Sequence, residues 1–221
     1  MRSVIFCGYR HTIESPRFHF PDAELWCQST SIRNWDWALD NWSRWFDIHT
    51  VGPQVFYPGI QLQRPDVFAW YTRQGRERPI YLTETHPEIM ASVAYPRAEM
   101  EAQFGRGRFG CQLDYLAALA LSEGFDRWIL YGLGQPYVSD PGSSKAAKWL
   151  KFHQSFLWWM RLARERGVEI VFDGPNMFTP ELFGKTPPRE EPMTGAYGYD
   201  MQSDFEHYMT VQREGFGPKT S

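Results

Sequence analysis

Apolar runs of strand length recur along the chain, each broken by glycine or polar residues. Val4 to Gly8 and Ala23 to Ser29 are each as long as a buried strand, and both read as parallel strands. The segment between them, Tyr9 to Pro16, is polar and closed by proline, which fits a short helix or a loop. Trp45 to His49 is a third strand candidate, preceded by Asn34 to Trp42 with apolar residues at helical spacing, and Pro79 to Thr83 is a fourth. From Gln112, the residues Leu113, Leu116, Ala117, Ala120 and Leu121 mark one helical face, and Gly124 supplies a left-handed stop. Trp128 to Gly132 then reads as the fifth strand. Ser143 or Ser144 can cap an amphipathic helix running to Arg166, and Gly167 leads into the strand Val168 to Phe172. Strand, helix and strand with short connections predict a right-handed βαβ unit, hence an α/β fold with a parallel sheet and helices on both faces. The reading gives one domain over 1–174 and an irregular C-terminal arm over 175–221, with a short helix near 203–212.

Composition narrows the class. The 221 residues, 43% hydrophobic and 22% charged, suffice for a sizeable core, and no apolar run approaches the roughly 20 residues of a membrane span. The start, Met1-Arg2-Ser3 running into Val4, does not have the pattern of a signal peptide. Three cysteines without metal-ligand spacing argue against a disulfide framework and a structural zinc, so a soluble, cytoplasmic protein without membrane contact is expected. A net charge of −3 gives no global field for polyanions; Arg97, Arg106 and Arg108 form a local basic patch, and nucleic-acid binding is unsupported. The unusual feature is aromatic content, 17% with ten Trp, clustered at 35–45 and 149–159, which reads first as core and interface mass.

In an open parallel sheet ligands bind beyond the carboxyl ends of the strands. That criterion selects Gly8, Tyr9, Arg10 and His11 after the first strand, and Gln28, Ser29 and Thr30 after the second. It adds Asp47 and His49 at the third, and Gly132, Gly134, Gln135 and Tyr137 at the fifth. An anion over Gly8 to Thr12 with Arg10 as counter-charge is one use of the first loop; a plain chain turn is the other. Gly105 to Gly110 satisfies G-x-G-x-x-G, but the residues before it are polar and helix-prone rather than a strand, so it reads as a flexible, lid-like loop and not a dinucleotide fingerprint. No histidine has metal-ligand spacing, and no catalytic metal is expected. His49, at a ligand-side strand end, and His153, in the long helix, are the candidate general bases, each with an ordinary structural role as the alternative.

One segment resembles a known superfamily: Tyr115-Leu116-Ala117-Ala118-Leu119-Ala120, then Gly124-Phe125, then Trp128-Ile129-Leu130-Tyr131-Gly132. It is similar to the Y-M-x-A-x-A-x-x-x-G-[FY]-x-x-I-x-L-x-G stretch of the Rossmann-like superfamily that includes the Campylobacter-type sialyltransferases and the MptE-like hydroxymethylpterin diphosphokinases. Uncharacterised tailed-phage proteins look similar over more of the chain, through Trp45 to His49, Tyr95-Pro96 and Tyr197 to Tyr199. The resemblance implies a Rossmann-like fold, a nucleotide-binding crevice and a phage origin acting in the host cytoplasm. It implies Tyr137 as a phosphate contact and His153 as the base. The chain departs from the pattern at Gln112, where a serine opens the helix, at Gln28, where the sialyltransferases carry asparagine, and at Gly132-Leu133-Gly134, where G-x-D is usual. Three readings follow. The first is a glycosyltransferase-like enzyme using a nucleotide or nucleotide-sugar donor without an obligatory metal or cofactor. The second is a Mg-dependent diphosphokinase-like enzyme with Asp47 and Asp140 as candidate ligands. The third is a noncatalytic module that binds a protein. The acceptor and a homo-oligomeric state stay open.

Overall fold

The computed structural model describes residues 1–8, 19–28, 41–48, 65–133 and 144–173, with the backbone alone described at 65, 66 and 144–153. Seven strands are present among these: β1 (Ser3–Cys7), β2 (Glu24–Gln28), β3 (Arg44–Phe46), β4 (Ile80–Leu82), β5 (Ser92–Ala94), β6 (Arg127–Tyr131) and β7 (Glu169–Asp173). They form one sheet in the order β5-β4-β3-β2-β1-β6-β7, with every neighbouring pair parallel. Four helices accompany them: α1 (Pro65–Tyr71), α2 (Arg97–Phe104), α3 (Gln112–Ser122) and α4 (Ser144–Glu165). This is the expected α/β, Rossmann-like architecture.

The strands read as continuous apolar runs because both faces of the sheet are covered. Alternate side chains of β1 enter different cores. Val4 and Phe6 join Leu116 of α3 and Phe156 of α4 on one face, while Ile5 and Cys7 join Val67 and Tyr71 of α1 on the other. The tryptophan clusters are core mass where they are described: Trp42, Trp45 and Trp159 are fully buried.

The joint from α3 into β6 shows how the sequence sets the chain path. The amide of Phe125 donates to the Ala120 carbonyl at 3.0 Å and that of Gly124 to Leu121 at 3.3 Å, with Gly124 at φ 73°. This Schellman arrangement closes the helix and needs a left-handed residue at one position, which the glycine supplies without steric cost. The same pair of bonds ends α4, from Val168 to Ala163 and from Gly167 to Arg164.

Three expectations change. The third strand is three residues long and ends at Phe46 rather than His49; Asp47 and Ile48 continue as buried, non-strand chain. A short edge strand, β5, intervenes, so the strand expected as the fifth is the sixth. The segment 105–110 was expected to be a flexible, lid-like loop, yet its second half is pinned: Phe109 is fully buried and the Trp159 indole N–H donates to the Arg108 carbonyl at 2.9 Å. The segment before it is α2, as its polar, helix-prone sequence suggested, so the loop does not follow a strand. The helix expected at 34–42 lies almost wholly outside the described residues, as do the arm 175–221 and its short helix.

Candidate functional site

Strand order reverses between β1 and β6: from β1 the chain builds outward to β5, then returns to the other side of β1 to lay down β6 and β7. In folds with this strand order ligands bind between the diverging loops at the carboxyl ends of two such strands; here those loops, from Tyr9 and from Gly134, lie outside the described residues. Gly8 and Gly132 stand just beyond the ends of β1 and β6. The Gly8 amide donates to the Tyr131 carbonyl at 2.9 Å, extending the β1–β6 pairing by one residue, and Gly132 turns away at φ 59°. A β-carbon on Gly8 would overlap the Gly132 carbonyl and lie 2.6 Å from the Leu133 α-carbon. Only glycine fits there, so the backbone is bare at the switch point.

In register across β3, β2, β1 and β6 the strand ends run Phe46, Gln28, Gly8 and Gly132, a line of roughly 14 Å at the ordinary interstrand spacing, with Asp47 one residue beyond Phe46. Gln28 is buried at the last position of β2, and its side-chain N–H donates to the Cys7 carbonyl at 3.4 Å. Asp47 is buried one residue beyond β3 and accepts a 2.7 Å hydrogen bond from the Tyr71 hydroxyl, which in turn accepts from the Trp45 indole N–H at 3.1 Å. Gln112, the first residue of α3, donates through Nε2 to the Phe46 carbonyl at 2.6 Å. The two glutamines that depart from the superfamily pattern therefore both bind strand-end carbonyls.

No thiol nucleophile is offered here. Burial, together with the adjacent Cys27, pushes the Cys7 thiol well above its ordinary range, so it stays protonated and inert.

The structure thus brings together Gly8, Gln28 and Gly132 from the sequence-derived set. Tyr9, Arg10, Ser29, His49, Gly134 and Tyr137 lie outside the described residues, as do His11, Thr30, Gln135 and Asp140. His153 is placed by its backbone in α4, and its side chain lies outside the described part. Among the described residues there is no group of three or more His, Cys, Asp or Glu side chains arranged to hold a metal ion. No helix among them is long and apolar enough to cross a membrane.

Two groups at or near this edge were not singled out from sequence. Tyr71, which holds Asp47, lies on α1, a helix the hydrophobic pattern did not announce. Asp114, the third residue of α3, carried a signal, since an acid three residues after the N-cap is where a capping box puts one. Comparison of the chain with protein-family models, curated proteins and solved structures finds no match.

Proposed function

We propose that the chain is a nucleotide-binding transferase, glycosyltransferase-like, whose crevice takes a nucleotide-activated donor such as a nucleotide sugar. The observation that carries this reading is the reversal of strand order at β1 and β6, with glycine backbone at the opening. Fold alone does not define a reaction, so the chemistry rests on the resemblance and on the residue types around the crevice. In this reading the donor phosphates lie over Gly8 to Thr12, with Arg10 as counter-charge and Tyr137 as a further contact. An acceptor hydroxyl gives its proton to the imidazole of His153 or His49 as its oxygen attacks the anomeric carbon. The bond from that carbon to the phosphate oxygen breaks, and the nucleotide leaves with the electron pair. No step requires a metal. A phage origin and action in the host cytoplasm belong to the same reading.

A second reading, a noncatalytic protein-binding module, is favoured by one observation. The amides of Gln28 and Gln112 are engaged with the Cys7 and Phe46 carbonyls, where a transferase would aim polar groups at its ligand. The diphosphokinase-like alternative needs Asp47 to serve a magnesium ion as well as the Tyr71 hydroxyl it already accepts.

The test is a thermal-shift screen against nucleoside mono- and diphosphates and nucleotide sugars, with and without Mg²⁺, repeated on Tyr137→Ala and His153→Ala. Stabilisation of several degrees without Mg²⁺, lost in Tyr137→Ala, is expected. A strict magnesium requirement would favour the diphosphokinase reading, and no shift at millimolar ligand would favour the noncatalytic module.

A further inference from the structure

His19 and His86 are the histidines whose side chains the structure describes, and a carboxylate holds the first. His19, in the turn before β2, lies 3.2 Å through Nδ1 from Oδ2 of Asp173, the last residue of β7, 154 residues away in the chain. His86 instead accepts the Glu88 amide on its Nδ1 at 3.2 Å, a contact local to the connection from β4 to β5. A carboxylate only accepts, so the Nδ1 beside it carries the proton. That fixes the tautomer: in the neutral ring Nε2, on the far side from Asp173, holds an unshared electron pair and can take a proton. The His19 side chain is 59% exposed and that of Asp173 22%, which leaves the ring open to an incoming molecule while its partner is partly sheltered.

Asp173 stands at the carboxyl edge of the sheet. It pairs with Tyr131, which pairs with Cys7, so its α-carbon is one interstrand spacing, about 5 Å, from β6 and about 10 Å from β1, where the strand order reverses. Side chains alternate along a strand, so Asp173 shares the face of Val171, which packs against the core formed by Ile5, Cys7, Ile129 and Tyr131 with α1. Phe20, next to His19, packs against the same core and anchors the chain that presents the imidazole. An exposed ion pair adds little to stability, so the fold has small need of this contact. A carboxylate that orients a histidine at the ligand side of a parallel sheet is the arrangement a general base requires.

We propose that His19 is the general base of the transfer reaction and that Asp173 is the residue that positions it. The proposal rests on the transferase reading and deepens it, putting His19 in the place given above to His153 or His49. The acceptor hydroxyl gives its proton to Nε2 as its oxygen bonds to the anomeric carbon. The bond from that carbon to the donor phosphate oxygen breaks, and its electron pair leaves with the nucleotide. The imidazole becomes imidazolium, and Asp173, still accepting from the Nδ1–H, stabilises the new charge without itself taking the proton. The sequence does not mark His19 for this role, because its partner lies on an edge strand laid down 154 residues later.

The test has two arms, both on the full chain. In the first, ¹⁵N NMR of histidine-labelled protein is recorded at about pH 8.5, where an ordinary imidazole is neutral, and His19 is assigned as the signal that His19→Gln removes. A proton on Nδ1 in the wild type, giving way to a mixture of tautomers in Asp173→Ala, is expected. A wild-type ring protonated on Nε2 would overturn the proposal whatever the turnover shows. In the second arm UDP-glucose, GDP-mannose and CMP-N-acetylneuraminate are offered, with thermal shift reporting binding and released nucleotide reporting transfer to water. His19→Gln should lower kcat about 100-fold or more and Asp173→Ala about 10-fold, each with KM and the thermal shift retained. Both changes should leave the melting temperature within about 2 °C of the wild type; a larger fall in Asp173→Ala would assign the pair a structural role instead. An unchanged kcat in His19→Gln overturns the base assignment and leaves the transferase reading standing. Neither binding nor turnover of any of the three donors by the wild type removes that reading, and the base assignment with it.

Discussion

Gly8 and Gly132 meet backbone to backbone where the order of strands reverses, so closely that a single methyl group on Gly8 would overlap the Gly132 carbonyl. The contact belongs to the fold and, under the proposed function, to the donor site as well. It holds the ends of β1 and β6 in register through the Gly8 to Tyr131 hydrogen bond, and it leaves these two strand ends without side chains.

Gly8→Ala follows directly from that contact. The methyl meets backbone atoms rather than the tip of a flexible side chain, so the strand ends must separate. A loss of roughly 1–3 kcal/mol is expected, with donor-induced stabilisation abolished. Urea unfolding with and without nucleotide measures both; an unchanged midpoint would mean that the ends of β1 and β6 are not packed as described.

Gly124 is a different kind of glycine. A β-carbon there would meet nothing within 4 Å, so the cost of Gly124→Ala arises only from the left-handed backbone at φ 73°. It should amount to about 1–2 kcal/mol, and Gly124→Asn should recover part of it, since asparagine tolerates that region. Equal destabilisation by the two substitutions would indicate a steric cause instead.

At the amino ends of the strands, Glu24 accepts hydrogen bonds from the Trp26 indole N–H at 3.0 Å and from Arg2 at 2.9 Å, with the Arg44 guanidinium 3.0 Å away. Arg44 also reaches Glu123 at 2.7 Å, linking β3 to the end of α3. Partial burial acts to raise the Glu24 carboxyl, but these donors and positive charges prevail and hold it below its ordinary range. A depressed folded-state value means that the stabilisation is complete above about pH 4.5 and is lost as pH falls through the lowered value. Glu24→Gln should therefore be less stable than the wild type at pH 7 and lose less stability on acidification, as followed by circular dichroism between pH 6 and pH 2. An acid limb identical to the wild type would remove Glu24 from the account.

The sequence discloses those elements whose physics is local. Val4 to Cys7 and Trp128 to Tyr131 are apolar runs long enough to be strands, and Gly124 and Gly167 mark helix ends by their chemistry. Ser92–Ala94 carries no such mark, because a three-residue edge strand, half-exposed along its length, has neither an apolar run nor an alternation to show. The apolar pattern runs past the end of β3 for a related reason: Asp47 and Ile48 are as buried as strand residues, and burial rather than strand pairing shapes the pattern. At the site, Gly8, Gln28 and Gly132 could be placed from strand ends alone. That Gln28 and Gln112 bind carbonyls of other strands depends on which strands become neighbours, and no single segment encodes that.

Hydrogen exchange followed by mass spectrometry, with and without the nucleotide that most raises the melting temperature, tests the central claim most directly. Binding at the switch point predicts protection in peptides covering 4–12 and 128–137, with little change at β5 or the β7 edge. Protection confined to other segments, or none at saturating nucleotide, would contradict a donor site at the carboxyl ends of β1 and β6.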